Sequence, residues 1–299
     1  MIVLSGGTGT PKLLMGLKEL VDPEDLSVVV NTAEDLWISG NLVSPDVDTV
    51  LYTLADIVDE VRWWGIRRDS FHTTGFLRTL GNPELLSLGD NDRAVHIFRS
   101  ELIRQGISLS SATQVLAEVL GIKQEVLPMT DDHVSTMITT PDGEMHFQDF
   151  WVGLGGAPEV VSLRFQGIDK ATPSPRFLEL LEKEDSVLIG PSNPVTSICP
   201  ILDLPGVRER LKRKRIVAIS PLVGNKPVSG PASKFMKAVG VSADDEGVAA
   251  LLGYPDIFVV DKDSSYRGDC VRLDTFMKDR EDSKRLAKSI IELMSTTRQ

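Results

Sequence analysis

Four groups of residues in this 299-residue chain combine types and spacings that could do chemistry. The first is Ser5-Gly6-Gly7-Thr8-Gly9-Thr10, followed by Pro11 and Lys12. Glycines let a backbone approach an anion closely, and the free N–H groups and dipole of a helix start face phosphate oxygens. A diphosphate is the expected ligand, and a side chain at Gly9 is expected to weaken its binding alone. The second group is Asp46 and Asp48 within Ser-Pro-Asp-Val-Asp-Thr, residues 44–49. Asp48 either binds Mg2+, orients and deprotonates an attacking hydroxyl, or merely favours a helix start through the dipole. The third is Gly89-Asp90-Asn91-Asp92-Arg93, where Asp90 is a candidate acid or N-cap. Arg93 offers a planar donor fork to phosphate, or a surface ion pair with Asp90 or Glu101. The fourth is a pair of loops, 191–197 and 221–234, rich in Pro, Gly, Ser and Asn and carrying Lys226. That composition suits backbone-lined anion pockets.

No single template accounts for the glycine loop. Gly7 and Gly9 supply G-x-G, but the third glycine of a dinucleotide fingerprint would fall at Lys12. The spacing of a P-loop is missing as well. Asn31 stands where a ribose-binding acid would end the second strand, which argues against a nicotinamide dehydrogenase. The histidines at 72, 96, 133 and 146 show no metal-ligand spacing and read as structural or exposed. Two cysteines are too few for a disulfide framework. Trp63 and Trp64 are adjacent, and one of them could stack on a flat ring.

A net charge of -11 argues against a nucleic-acid partner, and it means that anionic phosphate needs local positive charge or a metal ion. No stretch approaches 18 consecutive apolar residues and no basic leader precedes the first strand, so the expectation is a cytoplasmic protein with no membrane partner.

The elements that must position these groups read as alternating strands and helices. Ile2–Leu4, Leu26–Val30, Ser186–Gly190, Ile216–Ser220 and Ile257–Val260 are short apolar runs of the kind buried in parallel sheets. Leu13, Leu14 and Leu17 form the inner face of a first helix beginning at Pro11. Val47, Val50, Leu51, Leu54 and Val58 stripe a second, with Ser44 as its cap and Asp48 off the stripe, pointing outward. Ala94, Ile97, Phe98 and Leu102 define another, stopped near Gly106. The expected fold is α/β: an open, mainly parallel, Rossmann-like sheet in a single domain over 1–299, with a largely helical insertion at about 62–122. Ligands of such sheets bind at the carboxyl ends of the strands, where the four groups fall.

Taken together, SGGTGTPKLLMGL, NTAEDLWISGNLVSPDVDTVLYTLA, LGDNDRAVHIFR, MTDDHVST, GPSNPVTSICPIL and SPLVGNKPVSGPASKFM resemble the 2-phospho-L-lactate transferases, from residue 1 to about residue 260. The resemblance implies an enzyme of biosynthesis of the deazaflavin coenzyme factor 420. Its donor is lactyl-(2)-diphospho-(5')-guanosine or an enolpyruvyl or glyceryl analogue. Its acceptor is the deazariboflavin Fo (7,8-didemethyl-8-hydroxy-5-deazariboflavin), whose ribityl hydroxyl attacks phosphorus as GMP leaves. It further implies Mg2+ dependence and a homodimer. By that likeness Asp48 and Ser87 contact the deazaflavin, with Gly89, Asp90 and Arg93 beside them. Gly6, Gly7, Thr8, Gly9, Thr10 and Lys12 hold the donor phosphates, and Asn193, Ser197, Lys226 and Ser229 line the nucleotide side. The competing expectation is a regulatory protein of the same fold that binds nucleotide sugars without turnover.

Overall fold

Strands buried on both faces need continuous apolar runs, and this chain supplies them at regular intervals. In the computed structural model, which describes residues 1–224, 226–227 and 231–295, they pair into one wholly parallel sheet. Its strands are β1 (Ile2–Ser5), β2 (Ser27–Val30), β3 (Glu125–Pro128), β4 (Ser186–Ile189), β5 (Arg215–Ile219), β6 (Ile257–Asp261) and the edge strand β7 (Val271–Leu273). Their spatial order is β7-β6-β5-β4-β1-β2-β3. Successive side chains enter different layers. Ile2 and Leu4 join the apolar cluster on one face, and Val3 joins the cluster on the other. The chain moves from β1 one way to β3, then returns to β4 on the opposite side of β1. That reversal opens a crevice beyond the carboxyl ends of β1 and β4.

Helix α1 (Gly9–Leu20) starts two residues before the expected Pro11, directly out of the glycine loop, and buries Leu13, Leu14 and Leu17. The stretch after β2 was expected as a plain polar loop. It contains a small hairpin, Leu36–Ile38 against Asn41–Val43. Helix α2 (Pro45–Leu54) has Pro45 at its first position as expected, but the Ser44 hydroxyl donates to Asp35 (2.7 Å) instead of capping. Every residue from Asp46 to Leu54 is buried, so Asp48 does not point outward.

The insertion is helical over α3 (His72–Thr79), α4 (Asp90–Arg104) and α5 (Leu109–Val119), while 62–71 is turn structure. Helix α4 turns its apolar positions outward. Ile97 and Phe98 are 47% and 41% exposed, whereas Asp92, Arg93, His96, Arg99 and Ser100 face inward. Burial normally tracks hydrophobicity in an amphipathic helix. Here the buried face belongs to a polar network. A three-stranded antiparallel sheet (Ser135–Thr140, Gly143–His146 and Ser162–Gln166) lies between β3 and β4 in sequence.

Candidate active site

The crevice holds a cavity of about 680 Å³. Its first wall is the glycine loop, locked to the β4 loop by Ser192. The Ser192 hydroxyl lies 2.7 Å from Thr10 Oγ1, accepts the Gly6 and Thr10 N–H groups at 3.3 Å each, and donates to the Gly6 carbonyl. Gly7, Thr8, Gly9 and Lys12 line the cavity, whereas Gly6 and Thr10 are buried behind it as part of the lock. Gly9 is glycine for a different reason than the one expected. A Cβ there would stand 1.9 Å from the Pro191 carbonyl oxygen, so the two loops, rather than loop and ligand, require the close approach. No acidic residue occupies the first turn of α1. Asn193 and Ser197 also line the cavity, and the Asn193 carboxamide accepts the N–H groups of Val195 (3.0 Å) and Thr196 (3.3 Å).

The floor is acidic. Asp46, Asp48 and Glu34 all line it and all are buried. Asn31, at the end of β2, donates to Asp46 at 2.9 Å and to the Thr196 carbonyl at 3.3 Å, tying this floor to the β4 loop. Burial pushes the Asp46 carboxyl up to about 6, against hydrogen bonds from Asn31 and the Gly7 N–H that lower it. Burial, and then the neighbouring Asp46 charge, hold Glu34 well above the usual carboxylate range. Asp48 is the opposite case. Burial would raise it, but the wholly buried Arg99 guanidinium and then His96 outweigh burial and hold it well below that range.

The Asp48 partners come from the inverted face of α4. Arg99 grips both carboxylate oxygens, one at 3.1 Å, and His96 Nε2 lies 3.1 Å from Oδ2. The same His96 nitrogen lies 3.2 Å from Asp92, whose Oδ1 accepts the Tyr52 hydroxyl at 2.7 Å. Burial lowers the His96 pKa, but hydrogen bonds to Asp48 and Asp92 overcome it and push the imidazole up to about 9. Asp48, Asp92 and His96 are close enough to share a cation. A protonated imidazole already supplies the positive charge between the two carboxylates.

Three expected site residues serve the scaffold instead. Asp90 accepts from the Ser70 hydroxyl (2.6 Å) and from the N–H groups of His72 (2.9 Å) and Thr73 (3.0 Å), so it caps α3 rather than its own helix. Arg93 is held by Glu84 at 2.5 and 2.9 Å, with Thr74 at 3.2 Å, which leaves its fork engaged away from the cavity. The partner is neither Asp90 nor Glu101. Gly89 backs onto the Asp69 carboxylate, which caps α4 through the N–H groups of Asn91 and Asp92. Asp90, at the start of α4, thus caps α3, and Asp69, just before α3, caps α4; within GDNDR that role accounts for Asp90, while Asp92 and Arg93 serve the contacts given above. Ser87 does line the cavity. Lys226 is exposed on a short hairpin and is not part of the cavity wall, and Ser229 lies outside the described residues.

A model of the family described as "2-phospho-L-lactate transferase CofD" matches residues 1–295. The chain belongs to the CofD family. A 2-phospho-L-lactate transferase of Methanosarcina mazei is 52% identical to it, covering 98% of this chain and 99% of the relative. One of the same description from Methanopyrus kandleri is 47% identical, covering 98% and 97%. Among solved structures, a member of the UPF0052 family from Bacillus halodurans superposes with a TM-score of 0.60 at 22% identity, over 87% of this chain and 79% of that one, which shows the shared fold.

Within this CofD-family chain, sequence reasoning missed Ser192, Glu34, His96 and Arg99. Asp92, His96 and Arg99 follow at i, i+4 and i+7, a polar stripe on one helix face that could have been noticed. Ser192 and Glu34 carried no local signal, since both act through contacts distant in sequence. The apolar wall includes Trp63, Trp64, Phe147, Trp151 and Phe276, again drawn from separate segments.

Proposed function

We propose that the protein transfers a phospholactyl group, or its enolpyruvyl or glyceryl analogue, from lactyl-(2)-diphospho-(5')-guanosine to the ribityl hydroxyl of Fo, releasing GMP, in biosynthesis of the deazaflavin coenzyme. One observation carries this reading. A single cavity joins a glycine loop at a helix start to a floor of buried carboxylates, in a chain that matches 2-phospho-L-lactate transferases over nearly its whole length.

The donor diphosphate lies along the Gly7–Gly9 backbone, facing the start of α1, with Lys12 supplying positive charge. The Asn193 and Ser197 loop borders the nucleotide side. The fused rings of Fo pack on the aromatic wall beside Ser87. Phosphoryl transfer of this kind depends on positioning and charge neutralisation, so no covalent nucleophile is required.

Asp48 orients the acceptor hydroxyl and does not deprotonate it, because a carboxylate held that acidic is a poor proton acceptor. The donor set also fits Mg2+, a hard cation that prefers oxygen ligands. Glu34 and Asp46 are buried carboxylates at the cavity whose charge no cationic group among the described residues offsets as closely as Arg99 offsets that of Asp48. They, rather than Asp48, would hold the ion, which when bound neutralises diphosphate charge. The protein acts as a cytoplasmic homodimer.

The test combines purified protein, Mg2+ and Fo with each of the three donors, separating products by mass. A phosphodiester of Fo together with GMP is expected. Binding of nucleotide with no product, and no change in Fo emission on mixing, would favour a regulatory nucleotide-sugar receptor instead.

A further inference from the structure

Between α2 and α3 the chain folds into a tight hairpin over residues 57–67. It is closed by the Val58–Ile66 bridge and by the Arg67 N–H donating to the Ile57 carbonyl at 2.8 Å. Its tip is stiffened from within. The Asp59 carboxylate accepts the N–H groups of Val61 (3.0 Å) and Arg62 (3.1 Å) and the Arg62 guanidinium (2.8 Å). That guanidinium also lies over the rings of Trp64 (4.9 Å) and Phe71 (5.1 Å). Arg280 of the C-terminal helix (Arg280–Ser295) pins the structure from outside through Glu60 (2.7 Å) and Asp56 (3.0 Å).

At this tip Trp63 adopts a φ of 58°, a left-handed conformation unfavourable for a bulky side chain. Strain of this kind persists only where surrounding structure imposes it, and it clusters at functional sites. The indole meets Lys12, whose ammonium stands 5.0 Å from the ring centroid. Lys12 is the fourth residue of α1, one turn from the glycine loop, and both residues line the cavity. Its ammonium is paired with no carboxylate among the described residues, and burial lowers its pKa. An unpaired, half-buried ammonium on a flexible four-carbon stem needs something to fix its direction. An aromatic face does so without neutralising the charge a phosphate would use.

We propose that Trp63 is a positioning residue: its ring holds the Lys12 ammonium at the donor-phosphate end of the cavity while forming part of the wall that takes the acceptor, so one side chain couples the two half-sites. The proposal rests on the donor reading given above. Without the ring, Lys12 still reaches the diphosphate but must be ordered at the moment of binding, and affinity falls.

Calorimetric titration with GDP of wild type, Trp63→Leu, Trp63→Phe, Lys12→Met and the Trp63→Leu/Lys12→Met double variant tests this, with the melting temperature of each as a check on folding. Trp63→Leu is expected to weaken GDP binding about three- to tenfold, with Trp63→Phe recovering part of the loss. In the Lys12→Met background the Trp63 change should cost little further, since the ring has no ammonium left to hold. A 13C label on methylated Lys12, assigned by its absence in Lys12→Met, should be shifted upfield by the indole and lose that shift in Trp63→Leu. If Trp63→Leu unfolds early, Trp63→Tyr and Trp63→Phe carry the same comparison, because their rings attract cations less than indole. GDP affinity unchanged by loss of the indole, or losses fully additive with Lys12→Met, would overturn the proposal while leaving the donor reading intact. A wild type that binds no GDP would overturn both.

Discussion

Asp48 illustrates how burial changes the meaning of a residue. Read locally, it is a helix-start aspartate on the exposed side of a stripe, and Asp48→Ala would be expected to fold normally and to lose activity by at least ~100-fold. In the structure it neutralises Arg99, which is wholly buried. Removing the carboxylate therefore strands a buried charge, a loss of about 3–5 kcal/mol. Denaturant titration should show that deficit for Asp48→Ala; wild-type stability in that variant would contradict the network. His96 adds a pH signature. Its folded pKa, about 9, is raised above the unfolded value, so its stabilisation is complete at low pH. Stability should then decline as pH rises from about 6.5 to 9, by at most roughly 1.4 kcal/mol per unit. A His96→Gln variant should lose that slope in melting curves taken across the range. Neither effect was legible from the sequence, because it depends on α4 turning its polar residues inward.

Among the elements, the sheet strands and the glycine-loop helix were the most legible. Ile2–Leu4, Ser186–Gly190 and Ile216–Ser220 announce themselves by uninterrupted apolar character, and both faces of the sheet are indeed covered. The loops were legible in composition but not in partners. SGGTGT reads as a phosphate cradle, yet two of its six residues, Gly6 and Thr10, serve the lock with Ser192. Gly9→Val should consequently lower the melting temperature and impair donor and acceptor binding together, because the Pro191 backbone must move. Loss of donor binding alone, at unchanged stability, would restore the simpler view of that glycine. GDNDR misled for a related reason. Asp90 caps a helix across a chain reversal, and nothing local in the sequence identifies which helix an aspartate caps. Asp90→Ala should lower the melting temperature modestly and leave turnover close to wild type, as a kinetic assay at saturating substrate would show. A large fall in kcat would return Asp90 to the reacting centre.

At the scale of the molecule, the strand order places a reversal between β1 and β4, and the cavity forms there. The insertion brings the aromatic hairpin and the inverted α4 over that crevice, completing on one side what the glycine loop begins on the other. The open α/β architecture and the position of the glycine loop at the cavity could be read from strand rhythm and loop composition. The acidic floor and the aromatic wall could not, since Glu34, Asp46, Trp63 and Phe276 meet only in the fold. The central claim is that these parts act together on two substrates, moving a substituted phosphate from one to the other. It is tested most directly by 31P NMR of the guanosine-diphosphate-linked donor mixed with Fo, Mg2+ and the protein. The paired diphosphate resonances should give way to one phosphodiester and one GMP signal in equal amounts, only when Fo is present. Diphosphate resonances that broaden on binding yet persist unchanged with Fo would contradict it.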